Sequence, residues 1–234
     1  PNNDLRKQSE TNFNILLKGN PPYTVLLLGK MLLSSPKNSV KQLSCSLLNN
    51  LFNMTKSIEC TSNWKALGQS ATELQGIILK SFIAERTVLI KQNIADLIVS
   101  ICENLFDGSD STWPEIVALV LKAINTDINV ITSNNDNEAL VDLETTIYLL
   151  SKIYTIYFDE LKSHIDLFIS AFQSYYKSPH LSLKVKTSEC VVEMLFILDK
   201  KNKKKAKVFM IDVLSTTLEC FSKSPVEESN LKRS

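Results

Sequence analysis

Apolar residues recur along much of this chain at the spacing of an amphipathic α-helix, with polar turns between the helical stretches. Five stretches show the pattern most strongly, and their first residues, at positions 22, 71, 113, 160 and 205, lie 42 to 49 positions apart. A pattern that returns at a nearly constant interval predicts a repeated structural unit. The five stretches are Pro22 to Ser34, Ala71 to Ala84, Trp113 to Ile124, Glu160 to Tyr176, and Lys205 to Phe221.

A second helical pattern precedes each of these stretches, so each unit is predicted to be a hairpin of an A helix and a B helix. The A helices begin near Asn3, Lys37, Glu85, Asn137 and Ser182. A period of about 45 residues is typical of HEAT repeats, in which neighbouring hairpins stack because a lone hairpin leaves apolar surface open. We therefore predict an all-α fold, a right-handed α-α superhelix (solenoid) of about five HEAT repeats. The predicted units are about 1–35, 36–84, 85–126, 127–178 and 179–223, and 224–234 form a tail or the start of a next repeat.

Composition agrees with a helical scaffold. The 234 residues are 44% hydrophobic and include 5 Gly and 7 Pro, which is few for a chain of many short strands. Lys and Arg number 26 against 25 Asp and Glu, so no global field indicates a membrane or nucleic acid as partner. The apolar run Val25 to Leu28 is far too short to span a bilayer, and neither a membrane span nor a signal peptide is predicted.

Catalytic and metal-binding patterns are not found in the sequence. The two histidines, His164 and His180, have no cysteine at metal-ligand spacing, and there is no GxSxG, Walker A or GxGxxG motif. The five cysteines form no CxxC pair, which predicts reduced, mostly buried thiols in a reducing compartment. We therefore predict a protein that is not an enzyme and that uses no metal or cofactor. The cysteines are Cys45, Cys60, Cys102, Cys190 and Cys220.

The strongest local charge lies between Lys200 and Lys207, where six of eight residues are lysine. The prediction is a solvated turn between the fifth A and B helices. A nuclear localisation signal, a nucleic-acid patch and a contact with an acidic partner loop are the alternatives.

Three stretches carry a family resemblance. The opening from Asn3 to Thr11, NDLRKQSET, is similar to the N-x-x-R-K-Q-A-E start of the first A helix in importin-β (karyopherin-β) nuclear transport receptors. The stretch from Ile94 through Asn104-Leu-Phe-Asp-Gly108 to Trp113-Pro-Glu115 resembles their third repeat. Leu181 to Thr187 resembles the start of the fifth A helix in the karyopherin β-3 branch, which the chain matches best. The resemblance implies an N-terminal fragment of a longer receptor.

The resemblance also implies two binding faces. The GTP form of Ran docks on the concave face made by the first B helices, and nucleoporin FG repeats insert Phe rings between A helices on the convex face. Exposed B-helix residues are the Ran candidates, with an ordinary solvated face as the alternative for each: Tyr23, Lys30, Glu73, Lys80, Glu115 and Lys122. Apolar A-helix residues are the FG candidates, with core packing as the alternative for each: Ile98, Ile147 and Leu150.

The implied function is nuclear import. Such a receptor shuttles between cytoplasm and nucleus, carries basic proteins such as ribosomal proteins and histones, and releases them when Ran-GTP binds. It needs no membrane and no direct nucleic-acid contact. The alternative is a cytoplasmic HEAT scaffold: a phosphatase subunit, a coat component or a tubulin-binding array. A tubulin binder would be expected to carry basic and aromatic residues at successive A-to-B turns, and here only the fifth turn is strongly basic.

Overall fold

Every regular element that the structure describes is helical. The computed structural model describes residues 3–53, 67–106, 112–201, 203–204, 206–211, 213 and 215. None of the helices in these ranges is long and apolar enough to cross a membrane. The helices are α1 (Asn3–Gly19), α2 (Pro21–Ser34), α3 (Asn38–Phe52), α4 (Ser70–Ala84), α5 (Val88–Phe106), α6 (Pro114–Ile124), α7 (Ile128–Ser133), α8 (Asn137–Ile153), α9 (Phe158–Leu161), a 3-10 turn (Lys162–His164), α10 (Ile165–Lys177) and α11 (Leu181–Lys201).

The chain divides into two compact units, Pro1–Val120 and Leu121–Ser234. In the first unit the B helices α2 and α4 pack side by side, and so do the A helices α3 and α5. Contacts of α2 with α3 and of α4 with α5 join the two layers. This is the stacking of helical hairpins that the sequence predicts, and the all-α repeat fold is confirmed.

The second unit repeats the arrangement. The A helices α8 and α11 pack along each other, and the B helix α10 packs against α11. An aromatic core joins these elements: Tyr154 meets Phe158 and Phe168 edge to face, and Phe172 meets Phe209 in the same way at 6.4 Å. Phe209 lies beyond the end of α11, within the predicted fifth B helix. Its contact with Phe172 therefore joins that segment to α10, the fourth B helix.

Side-chain caps account for several helix starts. Asn20 accepts a hydrogen bond from the Tyr23 N–H at 3.2 Å, and Pro21 and Pro22 follow in the first turn, where proline is tolerated. Glu85 accepts from the Thr87 N–H at 2.8 Å, and α5 therefore begins at Val88, three residues after the predicted position.

The Asn-rich stretch from Ile131 to Glu138 contains the end of α7 and the cap of α8, in which Asp136 accepts from the Ala139 N–H at 2.9 Å. Two expectations need correction. The predicted helix from Glu160 is interrupted by the 3-10 turn, where the Ser163 hydroxyl donates to the Glu160 carbonyl.

The second correction concerns the lysine cluster. Lys200 and Lys201 end α11, and the described lysines beyond it, Lys203, Lys204 and Lys207, are also helical and exposed. Lysine is a good helix former, and no Gly or Pro occurs from 181 to 215, so nothing in the local sequence stops the helical conformation. The predicted turn is therefore wrong for these lysines.

Buried polar groups tie the first unit together. Lys41 of α3 forms an ion pair of 2.7 Å with the buried Glu85, and the Lys91 ammonium reaches the Glu85 carbonyl at 3.3 Å. Nearer the end of α3, the Asn104 amide donates to the Phe52 carbonyl at 2.6 Å. The Lys41–Glu85 and Asn104–Phe52 contacts connect neighbouring repeats, because each joins the second predicted unit to the third.

Two buried tyrosines of the second unit differ in one hydrogen bond. The Tyr175 hydroxyl donates to the Ile124 carbonyl at 3.0 Å, whereas the Tyr154 hydroxyl is buried without a partner among the described residues. Burial raises the pKa of both side chains. We expect Tyr154→Phe to raise the unfolding free energy by about 1 kcal/mol, since it removes a buried unsatisfied group, and Tyr175→Phe to lower it by about 1 kcal/mol. Urea denaturation measures both, and equal losses in the two variants would contradict this assignment.

Candidate interaction surface

The open face of α2 carries an apolar stripe. Tyr23, Leu27 and Met31 follow one another at intervals of four residues, so they lie on one side of the helix. Their exposed fractions are 59%, 39% and 38%. The opposite side is the core side, with Val25, Leu28 and Leu32 buried. Exposed aromatic and methionine side chains aligned on one helix are suited to contact another protein.

Gly29 lets α4 approach α2 closely. A Cβ atom at this position would lie 3.1 Å from the Leu74 Cδ1 and 3.3 Å from the Ile77 Cγ2, both of α4. At the edge of this contact, the Lys30 ammonium lies 3.3 Å from the Glu73 carboxylate. Both side chains are more than half exposed, so the pair adds little to stability. It does place one positive and one negative group beside the stripe.

The structure thus brings three of the six predicted Ran candidates to one place: Tyr23 and Lys30 on α2 and Glu73 on α4. Lys80 is exposed farther along α4. Glu115 and Lys122 are exposed at the two ends of α6, which runs across the boundary between the units. All six side chains are therefore accessible.

Sequence reasoning missed Leu27 and Met31. It assigned Val25, Leu28 and Leu32 to the core and Tyr23 and Lys30 to the surface, and it did not place Leu27 and Met31. The spacing of four residues from Tyr23 to Leu27 to Met31 is a signal that could have found the stripe, because it lies off the line of Val25, Leu28 and Leu32.

The three FG candidates are placed in the core. Ile98 on α5 and Ile147 and Leu150 on α8 are fully buried. None of the three side chains has exposed surface, so each serves the packing that was its alternative.

A groove does open beside Ile147, between the A helices α8 and α11. Its volume is about 440 Å³, and Tyr148, Lys152, Val192 and Glu193 are among its lining residues. The ammonium groups of Lys152 and Lys186 each lie 5.5 Å from the centre of the Tyr148 ring. Tyr148, the residue after Ile147, thus presents its aromatic ring to the surface.

Three of the five cysteines lie in the core. Cys45, Cys102 and Cys190 are buried thiols, and Cys60 and Cys220 lie outside the described residues. Burial, with a smaller contribution from the Asp96 charge, raises the pKa of Cys45 to about 12, so its reactive thiolate is suppressed. Within the described ranges, no group of three or more His, Cys, Asp or Glu side chains could hold a metal ion.

Comparison with known proteins shows a likeness of structure. No protein-family model matches the sequence, and no curated protein matches it. Solved structures of Kap121p do match: a mutant superposes with a TM-score of 0.68 over 96% of this chain, and Kap121p bound to Nup53p with 0.66 over 94%. Another Kap121p mutant gives 0.65 over 90%. The fold is importin-β-like.

Sequence identity to each of these importin-β-like structures is 16%. At that level the likeness shows the fold, a HEAT solenoid of the karyopherin-β type. The match to the β-3 branch in particular stays a prediction. The chain spans about a fifth of the length of the Kap121p chains it matches, with 20% and 19% of those chains covered in the first two comparisons.

Proposed function

We propose that this chain is part of a nuclear import receptor and that the B-helix surface of its first unit binds the GTP form of Ran. The observation that carries the proposal is the exposed stripe of Tyr23, Leu27 and Met31 on α2. The importin-β-like fold supports it, because the resemblance places Ran on the B helices of the first repeats.

The Lys30–Glu73 pair gives this surface its polar edge. Interfaces commonly combine an apolar centre with a polar rim, and tyrosine and methionine are enriched in their centres. Ran-GTP bound here would exclude cargo from the same receptor, so that cargo binds when Ran-GTP is absent and leaves when it arrives. Basic proteins are the proposed cargo class. This function needs binding alone, with no catalysed reaction, and it implies shuttling between cytoplasm and nucleus.

The groove between α8 and α11 is the proposed site for a nucleoporin FG repeat. A Phe ring would enter this groove beside Val192 and Tyr148, whose ring also contacts the ammonium groups of Lys152 and Lys186. Attachment of single rings is weak, which suits rapid passage through many successive contacts. The structure of Kap121p bound to Nup53p is in keeping with a partner of this kind.

Calorimetric titration tests the Ran proposal. We expect the chain to bind Ran loaded with a non-hydrolysable GTP analogue and not to bind Ran loaded with GDP. Tyr23→Ala combined with Met31→Asp should weaken binding about tenfold or more, since aromatic anchors dominate interface energies. Leu43→Asp is the matched control, because Leu43 is an exposed apolar residue on the A helix α3.

Two outcomes would contradict the proposal. If the Leu43→Asp control weakens binding as much as the double variant, the stripe is not the contact. If neither nucleotide form binds while circular dichroism shows a folded helical chain, Ran binding fails and the cytoplasmic HEAT scaffold becomes the better explanation.

A further inference from the structure

A second groove lies in the second unit, away from the proposed Ran and FG sites. It has a volume of about 710 Å³ and opens between α9 with the start of α10 on one side and the end of α11 on the other. Its floor is apolar, with Phe158, Ile165 and Leu198 all buried. Its rim is charged and includes Lys162 and Lys201. An apolar floor beneath a charged rim can recognise a ligand that is itself both apolar and charged.

The two sides of the rim differ in charge. On the α9 side, Lys162 is paired with Asp159, their nitrogen and oxygen 2.5 Å apart. The hydrogen bond from Lys162, its charge and that of Lys201 hold the pKa of Asp159 below its usual value. On the α11 side, the Lys201 ammonium lies 4.7 Å from the centre of the Phe158 ring. The excess positive charge of the rim therefore comes from α11.

The positive charge continues past the groove. Between positions 197 and 207, six lysines face one acidic residue, Asp199. Lys203, Lys204 and Lys207 are helical and exposed, and none of them forms an ion pair with a described residue. At intervals of three and four residues their charges lie on one side of the helix and repel one another. A bound anion would relieve this repulsion.

We propose that the groove and the exposed lysines after α11 form a docking site for an acidic peptide that carries one apolar side chain. The Asp and Glu carboxylates of the peptide lie along Lys203, Lys204 and Lys207. Its apolar side chain enters the groove that Phe158 and Ile165 line. The peptide thus uses both features, neither of which the Ran or FG proposals employ.

A peptide fits better than nucleic acid or a lipid surface. Single-stranded nucleic acid binds by stacking bases on exposed aromatic rings. Phe158 is buried and Lys201 lies over its ring, so it does not present a free stacking face. A bilayer surface could meet the lysines but could not reach an apolar floor recessed in a groove. A flexible side chain can reach it.

Fluorescence anisotropy with a labelled peptide of Glu and Asp residues around one central Phe tests the proposal on the whole chain. We expect saturable binding that weakens as salt is raised. Reversing the charge of two exposed lysines, with Lys203→Glu and Lys204→Glu together, should weaken peptide binding at least about tenfold. This is a loss of about 1.4 kcal/mol of binding free energy. Lys177→Glu is the matched control, because Lys177 ends α10 about 18 Å from the groove, twelve residues along the helix from Ile165.

A second peptide, in which Ser replaces the Phe, tests the groove. Weaker binding of the Ser peptide supports insertion into the groove, and equal binding overturns that part of the proposal. Binding that Lys177→Glu reduces as much as the double reversal overturns the assignment to this site. Tighter binding of an oligothymidylate than of the peptide would overturn the choice of a peptide partner. These results are independent of Ran binding, so either proposal can fail alone.

Discussion

Glu85→Ala is expected to lower the unfolding free energy by about 3–5 kcal/mol, because breaking a buried ion pair leaves the other charge uncompensated. The carboxylate of Glu85 is paired with Lys41 at 2.7 Å and also accepts the backbone N–H groups of Arg86 and Thr87. Alanine removes all three contacts at once and leaves Lys41, which is mostly buried, without its partner. Urea denaturation followed by circular dichroism measures the loss.

The matched control is Glu73→Ala, which breaks the exposed Lys30–Glu73 pair and should cost less than about 1 kcal/mol. Glu85→Gln removes the charge but keeps the shape, since the amide oxygen can still accept the Thr87 N–H. Its loss of unfolding free energy should lie between those of Glu85→Ala and Glu73→Ala. Equal losses for Glu85→Ala and Glu73→Ala would show that the buried pair is not a stabilising tie between repeats.

The same contact has a pH dependence. Burial alone would raise the pKa of Glu85, but the hydrogen bonds from Lys41 and Thr87 outweigh it and hold that pKa below its ordinary value of 4.5. The stabilisation is therefore complete above the ordinary pKa of a glutamate. It is lost as the pH falls below 4.5 and through the lowered pKa of the folded state. Glu85→Gln should reduce this acid sensitivity.

Ile147→Ala is expected to reduce stability, whereas Tyr148→Ala, at the next position, is expected to reduce FG-peptide binding. Ile147 is fully buried, and its truncation should cost about 2–5 kcal/mol of unfolding free energy. Tyr148 lines the groove between α8 and α11, so its truncation should spare most of the stability and weaken binding of an FG peptide. An NMR chemical-shift titration measures the binding of the FG peptide to each folded variant.

Val192→Ser, on the opposite wall of the groove, should weaken FG binding as Tyr148→Ala does, since Val192 is exposed and contributes little to the core. If both groove variants bind the FG peptide as tightly as the original chain in the chemical-shift titration, FG repeats do not use this groove.

The repeat architecture could be predicted because its signals are local. The period of the apolar residues locates the helices of the first four units and the fifth A helix, and most starts agree with the structure within three residues. The predicted fifth B helix, Lys205 to Phe221, lies in large part outside the described residues. The differences arise where a side chain competes with the helix. The Glu85 carboxylate binds the N–H groups of Arg86 and Thr87 just before α5, and the Ser163 hydroxyl donates to the Glu160 carbonyl at the 3-10 turn. Neither effect changes the apolar period, so the pattern cannot reveal it.

The candidate surfaces were less predictable because exposure depends on the neighbouring helix. Ile147 and Tyr148 are consecutive apolar residues, and only the packing of α11 against α8 decides which one faces the groove. Leu27 and Met31 resemble core residues for the same reason, because the sequence of α2 does not show which of its sides α4 covers. The lysines after α11 were expected to form a turn because of their charge, yet their helix propensity prevails.

The principal helix contacts within each unit join only the same or the adjacent hairpin, as α2 with α4 and α3 with α5 do. One hairpin can therefore separate from its neighbour while the principal contacts of the hairpins farther along stay intact. Under tension each unit would give way in small increments, one hairpin after another, and regain its length as each hairpin refolds. Each unit is therefore expected to be elastic.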